Sequence, residues 1–411
     1  MISTNWEDSS IIKRKLTSAN FTKKIKKSGL PVLYDNNKLY IDNRTNNTLI
    51  IGASGSGKTQ TIILPQLELI RLAFENAIVH DTTSKIYEMT KDKFLNDGYK
   101  VVKIDFNNLK GFRYWNPLEV LYKDKNNVFE LGYYLFNDIE EFKESNILNI
   151  VINYFSLLTL YAMEVNNLSF KTIYSFNLKI RNGFYTFYSK IPKHIKKEVD
   201  VSGLLKLEDE KKEVIFKIFD KRMRRFTTEE MLRKITKNSF SLESLKTEKT
   251  IIYLVSNEKS SLTSLLISQI YDEFKYNSFK KASINKIRMN IILDDFYLIN
   301  PISNINEILR SCKRYKMKFT IIVRRLNDLK NNYGIREYRE LDFNNTIYIL
   351  ADDSETLNEL CHAITENEHN KSLILQHELK ALDSFEMIFL LEGTTPFKTK
   401  LIPYYKIKNW K

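Results

Sequence analysis

The sequence is poor in cysteine. Its two thiols, Cys312 and Cys361, stand far apart in 411 residues. That excludes a disulfide framework and fits a reducing compartment. Low-complexity linkers and internal repeats are also lacking, which leaves one large domain or two. No basic-then-apolar leader opens the chain, because Met1 to Ser10 is polar and acidic. A signal peptide is therefore not expected. Long apolar runs are scarce. One window, Asn146 to Met163, carries no charge over 18 residues. Asn146, Asn149 and Asn153 recur there at helical spacing, and an amide stripe facing lipid is costly. A buried core helix is expected rather than a membrane span. Acidic residues are in deficit: 64 Lys and Arg against 50 Asp and Glu give a net charge of +14. That balance suggests an anionic partner, nucleic acid or a membrane surface. Lys, Asn and Ile are abundant throughout, as in proteins from AT-rich genomes, so part of the excess is compositional. A hydrophobic fraction of 43% is ample for a core.

What is present is organised around Thr48 to Thr59. Gly52-Ala53-Ser54-Gly55-Ser56-Gly57-Lys58-Thr59 follows an apolar run and reads G-x-x-x-x-G-K-T, the P-loop pattern. Gly52, Gly55 and Gly57 allow the backbone to turn so that successive N–H groups point inward. Those donors, at a helix N-terminus, cradle a β-phosphate. Lys58 reaches the β- and γ-phosphates of ATP, and the Thr59 hydroxyl is placed to ligate Mg²⁺. The context is the required one: a strand over 47–51 precedes the loop and a helix over 59–72 follows it.

Residues 1–30 form a basic N-terminal tail, with Lys13-Arg14-Lys15 and Lys23 to Lys27. The tail is expected to be solvated and partly disordered, with docking on an anionic membrane as the alternative. Val32 to Tyr34 and Leu39 to Ile41, around Asn36-Asn37, read as a hairpin. Strands over 76–81 and 100–104 flank a helix over 85–94 capped by Gly98, a βαβ alternation that implies a parallel sheet. From Asn127 strand patterns vanish, and helices are expected over 131–142, 147–163, 169–177, 208–221 and 228–236. Parallel β/α returns at Thr250 to Val255, then Met289 to Leu293 and Phe319 to Val323, with late strands over 345–350 and 387–391. The division expected is a P-loop ATPase domain in two parts, 31–126 and 246–411, around an all-α insertion over 127–245.

Ile291-Ile292-Leu293-Asp294-Asp295 is an apolar strand ending in two acids, a Walker B pattern. Asp294 can hold Mg²⁺ through water beside Thr59. Asp295 stands where many such ATPases carry a glutamate that orients the attacking water.

These residues, in this order, resemble the type IV coupling proteins of conjugation and secretion, the TraG/TraD family. Gly29-Leu30-Pro31, Ile63-Leu64-Pro65, Gly98-Tyr99-Lys100-Val101, Trp115-Asn116-Pro117-Leu118, Tyr333-Gly334 and Asp353-Ser354-Glu355-Thr356 match successive blocks, from about Gly29 to Tyr405. The resemblance implies an α/β fold with a RecA-like motor domain, a mostly parallel sheet and an inserted all-α domain. It implies an ATPase acting as a homo-hexamer around a channel, which couples hydrolysis to transfer of single-stranded DNA with its relaxase or other protein cargo. It also places Lys313-Arg314-Tyr315 where the family has an Arg-rich turn facing the neighbouring subunit, with Arg314 a trans cation for the γ-phosphate. The sequence departs from the family in four places. It begins almost at the motor domain, where members usually carry transmembrane helices. A soluble form is therefore expected, cytoplasmic and peripheral at the inner face of the membrane through a membrane-embedded secretion-channel subunit. The Asp-Pro-Lys-Gly-Glu block is Asp81-Thr82-Thr83-Ser84-Lys85, the Walker B glutamate is Asp295, and the glutamine after the fourth strand is Arg324. These changes predict intact Mg-ATP binding with slow turnover. They also keep two alternatives open: a nucleotide-binding cargo adaptor with little turnover, and a DNA motor of the FtsK/HerA kind. Lys221-Arg222-Met223-Arg224-Arg225 and Lys193-His194-Ile195-Lys196-Lys197 are candidates for DNA phosphates, with a solvated helix face as the leading alternative. Cys361, His362, His369 and His377 fit no common zinc spacing.

Overall fold

A computed structural model describes residues 6–108, 113–139, 145–181, 183–278, 285–350, 353–366 and 376–407. Three short strands, β1 (Thr17–Ala19), β2 (Leu30–Asp35) and β3 (Lys38–Asp42), form an antiparallel sheet in the order β1-β3-β2. Asn36 and Asn37 turn β2 into β3 with φ of 49° and 60°, the left-handed pair a two-residue hairpin requires. The sheet corrects the expectation of a solvated tail. Residues Ser9–Lys15 are helical and Asp8 caps them through the Ser10 N–H. Ile12, Ala19 and Phe21 are buried in the same core as the P-loop helix. Two turns of helix offer too few apolar positions to show a period, so its buried face did not stand out in the sequence.

The Ile- and Val-rich runs supply the main sheet. β4 (Thr48–Gly52), β5 (Asn76–His80), β6 (Lys100–Asp105), β7 (Thr250–Val255), β8 (Met289–Leu293), β9 (Met317–Val323) and β10 (Asn345–Leu350) are parallel. β11 (Glu386–Leu391) and β12 (Phe397–Lys400) close one edge antiparallel. The nine-stranded order is β12-β11-β10-β4-β9-β8-β5-β7-β6. Parallel strands lie between layers, so both faces must be apolar. Accordingly β4, β5, β7, β8 and β9 are buried at every residue. The arrangement also brings the C-terminal ends of β4, β9, β8, β5 and β7 to one edge, where a ligand of such a sheet binds.

The helix expected over 59–72 is two segments. A π-helical turn, Thr59–Ile63, leads into the α-helix Leu64–Leu72. Pro65 thereby falls in the first turn of the α-helix, where its missing N–H costs nothing. At the opposite edge of the sheet Glu75 accepts from Ser28 N and Oγ, Arg288 Nε and Asn290 Nδ2. This buried network joins β2's leading turn to the starts of β5 and β8.

By contacts the chain divides into two units: residues 1–107, 242–259 and 270–411, and residues 108–241 with 260–269. The second unit takes in the segment 108–126 as well as the helices expected from Asn127. Its helices are Asn127–Phe136, Ser145–Glu164, Phe170–Arg181, Phe184–Lys190, Lys193–Glu198, Ser202–Leu205, Asp209–Arg224 and Glu229–Ile235. The helix expected over 131–142 begins earlier and ends at Phe136; residues 140–142 lie outside the described residues. The Trp115 block ties entry to exit. Trp115 N–H donates to Lys234 O, Asn116 N–H to Asn238 Oδ1, and Ser239 N–H to Tyr114 O. Helix Ser145–Glu164 is long and apolar enough to cross a membrane. Here it is core. Tyr154, Phe155, Leu157 and Leu158 are fully buried, Phe219 packs at 4.9 Å from Tyr154, and Asn146 and Asn149 face outward.

Candidate functional site

The P-loop leaves β4 at Gly52. Gly55 and Gly57 have φ of 79° and 94°, values that side chains with a Cβ rarely adopt. A Cβ on Gly57 would also stand 2.8 Å from the Phe385 ring. Gly52 differs: it ends the strand, and its role is space, since a Cβ there would meet Ser56 Oγ at 2.9 Å. Lys58 folds back and donates to Gly52 O at 2.6 Å and Ala53 O at 2.8 Å. Burial lowers its proton affinity, while the Asp294 and Asp295 carboxylates oppose that and Arg324 adds to it. The loop fits a phosphate ligand. Nothing lies within 4 Å of a Cβ on Gly55. Ser56 Oγ and Gln60 Oε1 are shielded from solvent without a hydrogen-bond partner among the described residues.

Asp294 and Asp295 follow β8, two strands from β4. Loss of hydration and the Asp295 charge raise the Asp294 carboxyl to about 6, against the pull of Lys58 and the Asp295 N–H. A carboxylate so poorly compensated suits a cation as its partner. Asp295 itself is left-handed, with φ 46° and ψ 53°. A non-glycine residue held there costs about 1–3 kcal/mol, a strain typical of functional sites. Its carboxylate accepts from Arg324 Nε at 3.2 Å. Arg324 follows β9, the strand between β4 and β8, and its guanidinium lies 4.6 Å above the Tyr297 ring.

Two neighbours escaped the sequence reading. His80, at the end of β5, bonds the Asp294 carbonyl through Nδ1 and Ser256 Oγ through Nε2. A carbonyl only accepts, so Nδ1 carries the proton and Nε2 accepts from the serine. Burial lowers the pKa of His80, which keeps the ring neutral. His80 thus braces the backbone that presents Asp294. Its signal was present as a polar ring in an apolar strand, but its partner is 214 residues away. Phe385, left-handed at φ 68°, is the other, pressed on Gly57 from the start of β11.

Residues 4–134 and 179–365 match the family described as type IV secretory system conjugative DNA transfer. The chain belongs to that family. Structures similar to this conjugative DNA transfer protein include the plasmid coupling protein TrwB in complex with the ATP analogue ADPNP. The TM-score is 0.71 at 11% identity, over 97% of this chain and 93% of that one. TrwB in complex with ADP and Mg²⁺ matches at 0.69 and 11%, over 97% and 93%. VirB4 of Thermoanaerobacter pseudethanolicus matches at 0.59 and 13%, over 92% and 97%. These likenesses establish the mixed α/β fold with a mostly parallel sheet. A search of curated proteins finds no match by sequence.

The expected site residues divide in two. Gly52 to Thr59, Asp294, Asp295 and Arg324 come together at the C-terminal edge of the sheet. Arg314 does not. It is exposed on the short helical turn Cys312–Tyr315, before β9 begins, and Arg324 follows that strand's end. Seven strand residues span roughly 23 Å. Asp81, just after β5, accepts from Thr83 and Tyr87 N–H in the first turn of the helix Lys85–Asn96; burial raises its pKa, and its charge in turn raises that of Asp294. Glu273 pairs with Lys246 at 2.7 Å. Among the described residues no three His, Cys, Asp or Glu side chains cluster as a metal site; His369 lies outside them.

Proposed function

We propose that the chain is an ATP-driven coupling protein that recruits single-stranded DNA, with its relaxase or other protein cargo, and moves it into a type IV secretion channel. The observation that carries this reading is the meeting of Lys58, Asp294 and Arg324 at one sheet edge in a conjugative DNA transfer protein. TrwB has been solved with ADPNP and with ADP and Mg²⁺, and the same ligands suit this loop.

The loop N–H groups and Lys58 take the phosphates; Lys58 exchanges the Gly52 and Ala53 carbonyls for phosphate oxygens. Thr59 and Asp294 would hold Mg²⁺, which when bound would supply positive charge against the phosphates. Arg324 exchanges Asp295 for the γ-phosphate. That frees the Asp295 carboxylate to orient the attacking water and take its proton. Turnover is slow for two reasons. Asp295 reaches about 1.5 Å less far than a glutamate, one C–C bond, and Arg324 must first leave it. Arg314 serves only a neighbour's site, in a homo-hexamer. Attachment to the membrane comes through a membrane-embedded channel subunit.

The Asp295–Arg324 pair also favours a second reading, a nucleotide-binding cargo adaptor with little turnover. ATP-dependent displacement of streptavidin from biotinylated single strands separates the two. Displacement by wild type and none by Lys58→Ala supports the motor; none by either supports the adaptor.

A further inference from the structure

The helical unit contains a cavity of about 360 Å³ whose polar lining is Asp138, Lys217, Lys221, Arg222 and Arg225, with Ile139 and Ile218 as its apolar wall. Lys217, Lys221 and Arg225 recur every four residues along and just past helix Asp209–Arg224, so they share one face. Like charges at that spacing repel. Elsewhere on the helix cations have partners: Lys212 with Asp209 at 3.0 Å and Arg224 with Asp220 at 3.1 Å. Lys217 reaches Glu213 only at 3.7 Å. Arg222 is the floor. It is 9% exposed, donates Nε to Leu135 O at 2.5 Å and sets Nη2 against the Asp138 carboxylate. Among the described residues the cavity therefore carries four cations against one carboxylate. The helix dipole accounts for cations in a last turn, at about 0.3–1 kcal/mol each. It does not account for their convergence on a hollow with a buried guanidinium. The chain beyond Ile139, including Glu140 and Glu141, lies outside the described residues.

We propose that this cavity is an anion site for a phosphate group, held by Lys221 and Arg225 over the fixed Arg222. Its volume accommodates one phosphate with the attached sugar. Two sources share that chemistry: the backbone of a single strand, and free phosphate or a phosphate monoester. The backbone source rests on the function proposed above; the site itself does not.

The test uses the full chain and the double variant Lys221→Ala/Arg225→Ala. Both residues are exposed, so folding is preserved, which thermal melting checks. Affinity for a fluorescent oligothymidine is measured at several salt concentrations, and inorganic phosphate binding by calorimetry. Loss of two phosphate contacts lowers the salt slope for single strands by about 1.4, and Lys221→Arg/Arg225→Lys restores it. That outcome, with ATP affinity unchanged, supports the site with the backbone as its source. Unchanged single-strand binding with loss of phosphate binding supports the site with a monoester as its source. If wild type binds no single strand yet the variant loses phosphate binding, the transfer function fails and the site stands. A variant equal to wild type in both measurements overturns the proposal.

Discussion

Asp294 carries the least compensated charge in the site. Its carboxyl rises from 3.8 to about 6 on folding, so the native state holds the proton more tightly than the unfolded chain. The sign follows. This group favours folding fully below pH 3.8 and loses that contribution as pH rises through 6. Asp294→Asn should therefore stabilise the nucleotide-free protein at pH 8, by no more than about 3 kcal/mol, and abolish Mg-dependent nucleotide binding. Paired urea titrations at pH 8 and 4.5 read the first effect, which must shrink to about a third at the lower pH. In wild type, Mg-ATP affinity should fall below about pH 6, because binding then expels a proton. Lys58→Ala should cost about 2–4 kcal/mol in Mg-ATP affinity by calorimetry, as for other desolvated charge pairs. The Asp295–Arg324 pair predicts coupling. In a double-mutant cycle of Asp295→Ala and Arg324→Gln, the turnover effects should be non-additive by about 0.5–3 kcal/mol. Additive effects would mean that the two side chains act independently. At this scale the P-loop pattern and the acid pair after β8 were legible because each is a short contiguous run of fixed residue types. The Asp295–Arg324 and His80–Asp294 contacts were not. Each joins strand ends whose adjacency only the sheet order creates.

Elements were legible where their period was long enough to see. The buried strands were, since parallel packing demands unbroken apolar runs. The seven-residue helices Ser9–Lys15 and Phe184–Lys190 were not, each offering about two turns of pattern. Pro65 falls inside the helix expected over 59–72, where an interior proline costs a hydrogen bond. The π-helical turn at Thr59–Ile63 moves it to an N-terminal position. The N-terminal segment gives the prediction at this scale. Phe21 is 9% exposed and packs in the P-loop core. Phe21→Ala should destabilise the sheet unit by about 3 kcal/mol. A urea midpoint equal to wild type would restore the view of residues 1–30 as a tail.

Across the whole molecule, the match to the conjugative DNA transfer family spans residues 4–134 and 179–365 and leaves out the middle of the helical unit. The match also ends at residue 365, before β11 and β12. The helical unit's placement between two β/α stretches was legible because strand patterns stop and resume. Its cavity was not, because convergence of Arg222 with Leu135 and Asp138 is a matter of helix packing. The net charge of +14 predicts non-specific single-strand binding that weakens steeply with salt. Nucleotide turnover at Lys58 and Asp294 should be coupled to single-stranded DNA. The direct measurement is phosphate release from Mg-ATP with and without oligothymidine, for wild type, Lys58→Ala and Asp294→Asn. Basal release should be slow, stimulated by the single strand, and lost with its stimulation in either variant. Release that ignores the single strand, or that survives in Lys58→Ala, would contradict this coupling.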